Sequence, residues 1–584
     1  MRQLGTKARI LAALLLSLLI TGLYFIFVYQ RLPFIYDIND DVAMRNVAAG
    51  VITGEPDGHL IFVKYILGLP ISALYRLFPG MDWYGLAMIG IMLFSFSMML
   101  YRGLASKRSI VWKAGYTLLG LLLFTSIGIQ HVTAFQWTVA AAMAGVAGIY
   151  LFYTSETEDK FQSFLEEGIA VFLLLLCLCV RQSVFLMVLP VAAGCFWWRY
   201  GSFVKNEKLP IRLKHWAVLA VLAAGILLIL GTEGIAYRSR EWKEFLAYNI
   251  DRSAIMDYYE LADYEEEKEF YDSLGLSPEE VENLQRYSLY LTEDVYGEKM
   301  HLLAEHASEI YRQQYPVLTR FFRGLEKVYE HLNKESYGPI HILSLCIGMA
   351  VLTFAFAKNR RQFHLGALIS AILTLFWLYL GFQGRMVERV GYAMYLLTLF
   401  TMLAIGYRML IIEKRGQESP IFSAGMFFGT CLILAVLSGI KWDQVKSYNT
   451  WRRDYNLEFL EVNRYMEEHP QNVYFMTTYS IETYTDNFTV RRAFGFSNLL
   501  SVGGWHTFSP LENEKNRKLG ILNPKRDLVE KENVYLISLE NIGLGYMDRY
   551  FESLYGENYQ GRELVDTLTF GERTFEVYDF TKDQ

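Results

Sequence analysis

The sequence predicts a polytopic α-helical membrane protein of about eleven spans, with an external helical segment and a C-terminal external α/β domain. Three observations predict it. Of 584 residues, 53% are hydrophobic and 15% aromatic, more apolar surface than one soluble core hides. Mean hydropathy is +0.19. Apolar runs long enough to cross a bilayer alternate with short links rich in lysine and arginine. A net charge of −6 without a basic block argues against a nucleic-acid partner.

The first run, Ile10–Tyr29, exceeds the apolar region of a signal peptide, which is about 7–15 residues. Its exit, Gln30-Arg31-Leu32-Pro33, offers no small-x-small cleavage site, so it reads as a retained signal anchor. Further runs are Trp83–Tyr101, Ile110–Ile129, Val132–Tyr153, Gly168–Val180, Val184–Trp198, Trp216–Ala236, Pro339–Ala357, Leu365–Phe382, Tyr392–Ile412 and Ile421–Ile440. One more stretch, His59–Phe78, is interrupted by Lys64, Pro70 and Arg76.

The basic residues decide whether that stretch spans. If it reclines at the outer interface, the clusters in Arg102–Lys113, Arg199–Lys214, Lys358–Arg361 and Glu413–Arg415 all face the cytoplasm, as the positive-inside bias requires. If it spans, most of them face outward. The expected threading has the N-terminus cytoplasmic and the C-terminus extracytoplasmic. Its one inner link without basic character is 154–166. Residues 168–198 must then hold two short spans around Arg181, the first starting near Phe164, with Glu166 and Glu167 at the inner interface.

Outside the membrane module, residues 1–440, this leaves a first external loop 30–81 and an acidic, helical segment 238–337. The C-terminal domain, 441–584, opens with a helical stretch at Tyr455–His469. Strand-like runs follow at Val473–Thr477, Val534–Ser538 and Thr574–Phe580, rich in aromatic and β-branched residues. That alternation predicts a small α/β domain. Gly503-Gly504-Trp505-His506 reads as a turn with a packed aromatic. All five cysteines fall inside apolar runs, so no disulfide framework is expected.

Chemistry concentrates at the outer ends of the helices. The first loop carries Asp37, Asn39, Asp40, Asp41 and Arg45. Asp40 or Asp41 can serve as N-cap of a helix over Val42–Val51, and Asp41 and Arg45 stand at i, i+4. Capping accounts for one aspartate, not for a row of acids at a membrane surface. The outer turn Gln383–Arg389 holds Arg385, Glu388 and Arg389, against the positive-inside bias. Guanidinium groups bind phosphate in bidentate fashion, which favours arginines there. Arg181-Gln182 and Gln130-His131 occupy two further outer turns. Adjacent aspartates at 40 and 41 would also suit Mg²⁺ or Mn²⁺.

This layout resembles the GT-C superfamily of membrane glycosyltransferases, which includes the protein O-mannosyltransferases and the bacterial lipid-A aminoarabinose transferases. The resemblance covers roughly residues 1–440. It is carried by Asn39-Asp40-Asp41, His59-Leu60 through Leu77-Phe78-Pro79-Gly80, Trp83-Tyr84 and Gly384-Arg385 with Arg389. Several relatives have His-Pro-Pro at the start of the reclining helix, where this chain has His59-Leu60-Ile61.

The resemblance implies sugar transfer from a polyprenyl-phosphate donor to an envelope lipid, glycan or protein, by direct displacement at the sugar C1. It implies Asp40 or Asp41 as general base and Arg385, Arg389 or Arg181 as ligands of the donor phosphate. Asp37, Asn39, Arg45, His59 and Glu388 would line the substrate site. Members differ in whether they use a divalent ion. The alternatives are a transporter or lipid flippase, or a non-catalytic envelope assembly protein.

Overall fold

The computed structural model describes residues 5–155, 159–200, 209–334, 337–412 and 424–582. Helix α1 (Thr6–Tyr29) leads into a loop bearing the strand β1 (Ile35–Tyr36) and two short helices, α2 (Asn39–Ala49) and α3 (Tyr65–Leu77). Then come α4 (Trp83–Leu104), α5 (Ile110–Ile127), α6 (Ile129–Thr133), β2 (Ala134–Phe135), α7 (Trp137–Thr154), α8 (Lys160–Val180), α9 (Gln182–Tyr200) and α10 (Leu209–Ala236). The helical segment follows as α11 (Arg240–Ser253), α12 (Lys268–Leu274), α13 (Pro278–Gln285), α14 (Glu298–Gln314) and α15 (Val317–Leu332). The chain returns through α16 (Ile340–Lys358), α17 (Arg360–Phe382), α18 (Glu388–Tyr407) and α19 (Ala424–Glu468).

Eleven helices among the described residues are long and apolar enough to cross a membrane: α1, α4, α5, α7 to α10 and α16 to α19. The chain is thus a polytopic helical membrane protein. Helix α3 is apolar but only 13 residues long, and it carries Pro70. Residues 168–198 belong to two helices that meet at Arg181, and the first begins at Lys160 rather than near Phe164. Lys414 and Arg415 lie outside the described residues.

Helix α7 is the hub. All its residues are buried, and it packs against α4, α8, α9 and α18. Its alanines and glycines allow that approach: Gly148 faces the backbone of Ala170 in α8, and a Cβ there would sit 3.0 Å from its carbonyl oxygen. At the end of the bundle remote from the C-terminal domain, Arg102 pairs with Glu166 at 3.0 Å and Arg199 with Glu167 at 2.8 Å. This explains the missing basic character of the link 154–166. Glu166 at its end and the adjoining Glu167 are partners for arginines of the neighbouring links, and buried guanidinium groups demand such partners.

Helix α19 runs without a break from its apolar half into the C-terminal domain, so the expected boundary at 440/441 falls inside one continuous helix. Val462 and Met466 of its far end pack with Phe575 and Val577 beneath a five-stranded sheet. The strands are β3 (Val473–Met476), β4 (Leu499–Ser501), β5 (Val534–Leu539), β6 (Tyr559–Phe570) and β7 (Arg573–Lys582), in the order β4-β3-β5-β7-β6. Strands β4, β3 and β5 are parallel; β7 and β6 return antiparallel. The three expected strands are present. Strands β4 and β6 escape the sequence pattern, because β4 is three residues long and β6 is largely solvent-facing and polar.

The domain is strapped to the first loop. Backbone bonds join Tyr36 N to Asp486 O (2.8 Å), Phe488 N to Phe34 O (2.9 Å), Asp82 N to Val490 O (3.1 Å) and Arg492 N to Gly80 O (3.1 Å). Segment 486–492 thereby satisfies the backbone groups on both flanks of the α2–α3 region.

Candidate active site

Helix α2 holds the aspartates by a route the sequence did not suggest. It begins at Asn39 with Ile38 as its cap, so Asp40 and Asp41 sit in its first turn, where carboxylates meet the exposed N–H ends favourably. Neither is an N-cap. Asp41 is wholly buried and turns into the bundle. Its Oδ1 accepts from the Tyr84 hydroxyl at 2.7 Å, and the Trp137 backbone N–H donates to Oδ1 and Oδ2 at 3.2 and 3.4 Å. Burial pushes its carboxyl well above the ordinary range, with Asp40 adding to the shift and these donors and Arg389 opposing it. Asp40 keeps a carboxylate that is 24% exposed, 3.7 Å from Arg389 Nη2.

Three arginines from two separate stretches of chain lie near this pair. Arg389 comes from the first turn of α18, and its Nε is buried without a partner. Arg181, at the α8–α9 junction, lies over the Trp137 ring at 4.0 Å and donates to the Thr138 hydroxyl. Its guanidinium is pushed down to about 10 by burial; Arg389 and Arg385 add to this, while Asp40 and Asp41 oppose it. It stays charged at neutral pH. Arg385 pairs with Asp257 at 3.1 Å and lies over Tyr258. The structure therefore brings Asp40, Asp41, Arg181, Arg385 and Arg389 into one electrostatic neighbourhood.

A cavity of about 500 Å³ adjoins it, lined by Asp37, Gln130, His131, Gln136, Tyr337, Glu388, Arg389, Tyr392, Lys441, Gln444, Val445 and Tyr448. Asp37 accepts from Gln136 Nε2 at 2.7 Å. Burial pushes its carboxyl up to about 6; Gln136, Arg389 and Arg452 oppose the shift and Glu388 adds to it. Glu388, on the rim, pairs with Lys334 at 3.0 Å. His131 is pushed down to about 3 by burial and the nearby Lys441 charge, so it is neutral.

Two expected residues have other work. Arg45 does not pair with Asp41. It reaches Asp486 at 2.7 Å and is sandwiched between the Tyr36 and Phe494 rings, fastening the C-terminal domain. A buried guanidinium takes the partner that best satisfies it, and that partner is 441 residues away. His59 bonds Asp57 at 2.7 Å and stacks on Trp242 at a 5.0 Å centroid separation, joining α3's approach to α11. Asn39 opens α2, half-buried.

The site also uses residues that sequence reasoning passed over. Tyr84 and Trp137 hold Asp41. Asp257, in the π-helical turn Ala254–Tyr258, holds Arg385. Glu482 closes the short helix α20 (Thr478–Glu482) of the C-terminal domain, and burial raises its carboxyl, with Asp40 and Asp257 adding to the effect. Only Tyr84 had a sequence signal, as part of Trp83-Tyr84. The others depend on tertiary approach.

Asp40 and Asp41 stand side by side in α2, with no third carboxylate, histidine or cysteine gathered on them among the described residues. Asp41's oxygens are taken by a hydroxyl and a backbone N–H, and Asp40 faces a guanidinium.

No family model matches the chain, and no curated protein matches it. Solved structures similar to it include ArnT from Cupriavidus metallidurans in the apo state, at 9% identity over 97% of this chain and 98% of that chain, with a TM-score of 0.38. The same protein bound to undecaprenyl phosphate matches at 8% identity over 98% of each chain, TM-score 0.38. The arabinofuranosyltransferase AftD from Mycobacteria matches at 11% identity over 99% of this chain and 40% of that chain, TM-score 0.38. Identities this low give no residue-by-residue correspondence, so the site stands on its own geometry.

Proposed function

We propose that this protein is a membrane glycosyltransferase that moves a sugar from a polyprenyl-phosphate donor to an extracytoplasmic acceptor. The observation that supports it is the convergence of one partly exposed carboxylate, Asp40, with Arg181, Arg385 and Arg389 beside a polar cavity at the ends of apolar helices. A polyprenyl tail stays in the bilayer, so its phosphate arrives at this level and no deeper.

In this reading Asp40 is the base and Asp41 its support. A base must reach the proton it takes, and Asp41 has no exposed surface while Asp40 has. The acceptor hydroxyl oxygen attacks the sugar C1 as its proton passes to Asp40. The bond from C1 to the phosphate oxygen breaks, and its electron pair stays on the phosphate. Arg389 and Arg385 release Asp40 and Asp257 to meet that charge, with Arg181 fixed alongside.

The test is transfer from radiolabelled undecaprenyl-phosphate sugars in vesicles carrying the purified protein and envelope extract. Asp40→Asn should lower the rate by about 10²–10⁴-fold with expression and thermal midpoint unchanged. Full activity in that variant removes Asp40 from the base role. If the wild-type protein transfers no sugar from any polyprenyl-phosphate donor, the reading itself fails.

A further inference from the structure

The cavity beside Arg389 contains more unmet hydrogen-bonding capacity than a phosphate needs. Lys441 lies where α19 leaves the membrane-spanning bundle. It is 7% exposed and pairs with no carboxylate among the described residues. An ammonium taken out of water without a counterion is costly, and so is each buried polar atom left unmatched. His131 Nδ1, Gln136 Oε1, Tyr337 OH and Arg389 Nε, all on cavity-lining residues, are buried without a hydrogen-bond partner. Natural interiors hold few such atoms, and their gathering around one void of ligand size calls for an occupant.

The mix of groups specifies that occupant. Lys441 and Arg389 only donate, Gln136 Oε1 and the ionised Asp37 only accept, and the tyrosine hydroxyl does both. A bare phosphate satisfies the donors and is repelled by the acceptors. A polyprenyl chain satisfies none of them. A ring of hydroxyl groups satisfies both kinds, and its C–H faces suit the aromatic walls of Tyr392 and Tyr448.

We propose that this cavity binds the sugar ring of the donor, with Lys441 and Gln136 as specificity-determining residues. The assignment rests on the glycosyl-transfer reading. Arg389 links the two, since it lines the cavity and also pairs with Asp40. A phosphate held at that guanidinium therefore has the cavity within reach of the sugar it carries.

The experiment compares two probes on the full chain in nanodiscs, undecaprenyl phosphate and undecaprenyl-phosphate-linked hexose, by native mass spectrometry. The wild-type protein should prefer the sugar-bearing lipid by about tenfold or more. Lys441→Met should cancel that preference while leaving the affinity for the bare lipid within about twofold. Gln136→Leu, which removes the unmatched amide oxygen and leaves the buried ammonium in place, should reduce the preference too and serves if the lysine variant fails to fold. A preference unchanged in both variants overturns the assignment. So does an equal loss of both lipids, which makes the cavity a phosphate site, and so does a wild-type protein that binds both lipids equally. A wild-type protein that binds neither lipid defeats the glycosyl-transfer reading itself.

Discussion

Single side chains here divide between holding the molecule together and serving the site, and each class has its own test. Arg45 and Asp486 form a buried pair, with Arg492 as a second partner of Asp486 at 2.8 Å. Both arginines hold that carboxyl below its usual range although burial alone would raise it. Asp486→Leu should destabilise the protein by about 3–5 kcal/mol, because Arg45 stays buried without a counterion. A thermal midpoint within a degree of wild type would contradict this. Asp37 behaves in the opposite sense. Its carboxyl titrates near 6 in the folded chain and near 4 when unfolded, so between those values the folded state binds more protons. Stability should fall as pH rises from about 4 to about 6, and Asp37→Asn should flatten that slope. Thermal midpoints over this range check it.

Helix α15 shows what one element contributes and how far it could be read in advance. Its wheel has three faces. Leu318, Phe322, Leu325 and Tyr329 form an exposed apolar stripe; Gly324 and His331 face α17; and Glu326 and Glu330 face away from both. Gly324 and Gly381 meet backbone to backbone, and a Cβ on Gly381 would lie 2.5 Å from the Gly324 carbonyl oxygen. Lys327 Nζ donates to the Gly384 carbonyl at 2.5 Å, so α15 braces the turn that carries Arg385 and Arg389. Gly381→Val should wedge the helices apart, costing about 1–3 kcal/mol and lowering sugar transfer with Asp40 untouched. Normal transfer would show the brace to be dispensable. The sequence did reveal a helical segment within 238–337 and the arginines of the turn before α18. It did not reveal their pairing, since Asp257, Lys327 and Glu482 read as ordinary solvated residues. Hydropathy locates elements well because the bilayer demands it, but it is silent on which turn meets which.

At the scale of the whole molecule, the membrane bundle and the sheet domain act as one body, which the apparent boundary at 440/441 concealed. The eleven apolar helices were legible because each needs about 20 apolar residues, and three of the five strands because they are buried and β-branched. The strap 486–492 was not legible, since its contacts lie hundreds of residues apart and follow no periodicity. Attachments that hold the domain include the four backbone bonds to 34–36 and 80–82, the Arg45–Asp486 pair, Phe488, which is 3% exposed among the rings of Phe34, Tyr36 and Phe135, and Tyr290 and Leu291 of the helical segment, which are buried in the domain's core. Helix α19 adds another, because Val462 and Met466 pack in the domain core. A protease site inserted at Gln471, between α19 and β3, tests the arrangement. After cleavage the two fragments should co-elute from a sizing column in detergent and keep the activity proposed above, because segment 486–492 still pairs with the first loop. Adding Arg45→Met and Phe488→Ala to the cleavable protein should lower the thermal midpoint of the cleaved complex and its activity together, with α19 and the Tyr290–Leu291 contacts still holding the fragments. Separation of the cleaved wild-type fragments would mean that chain continuity, rather than the strap, holds the site closed.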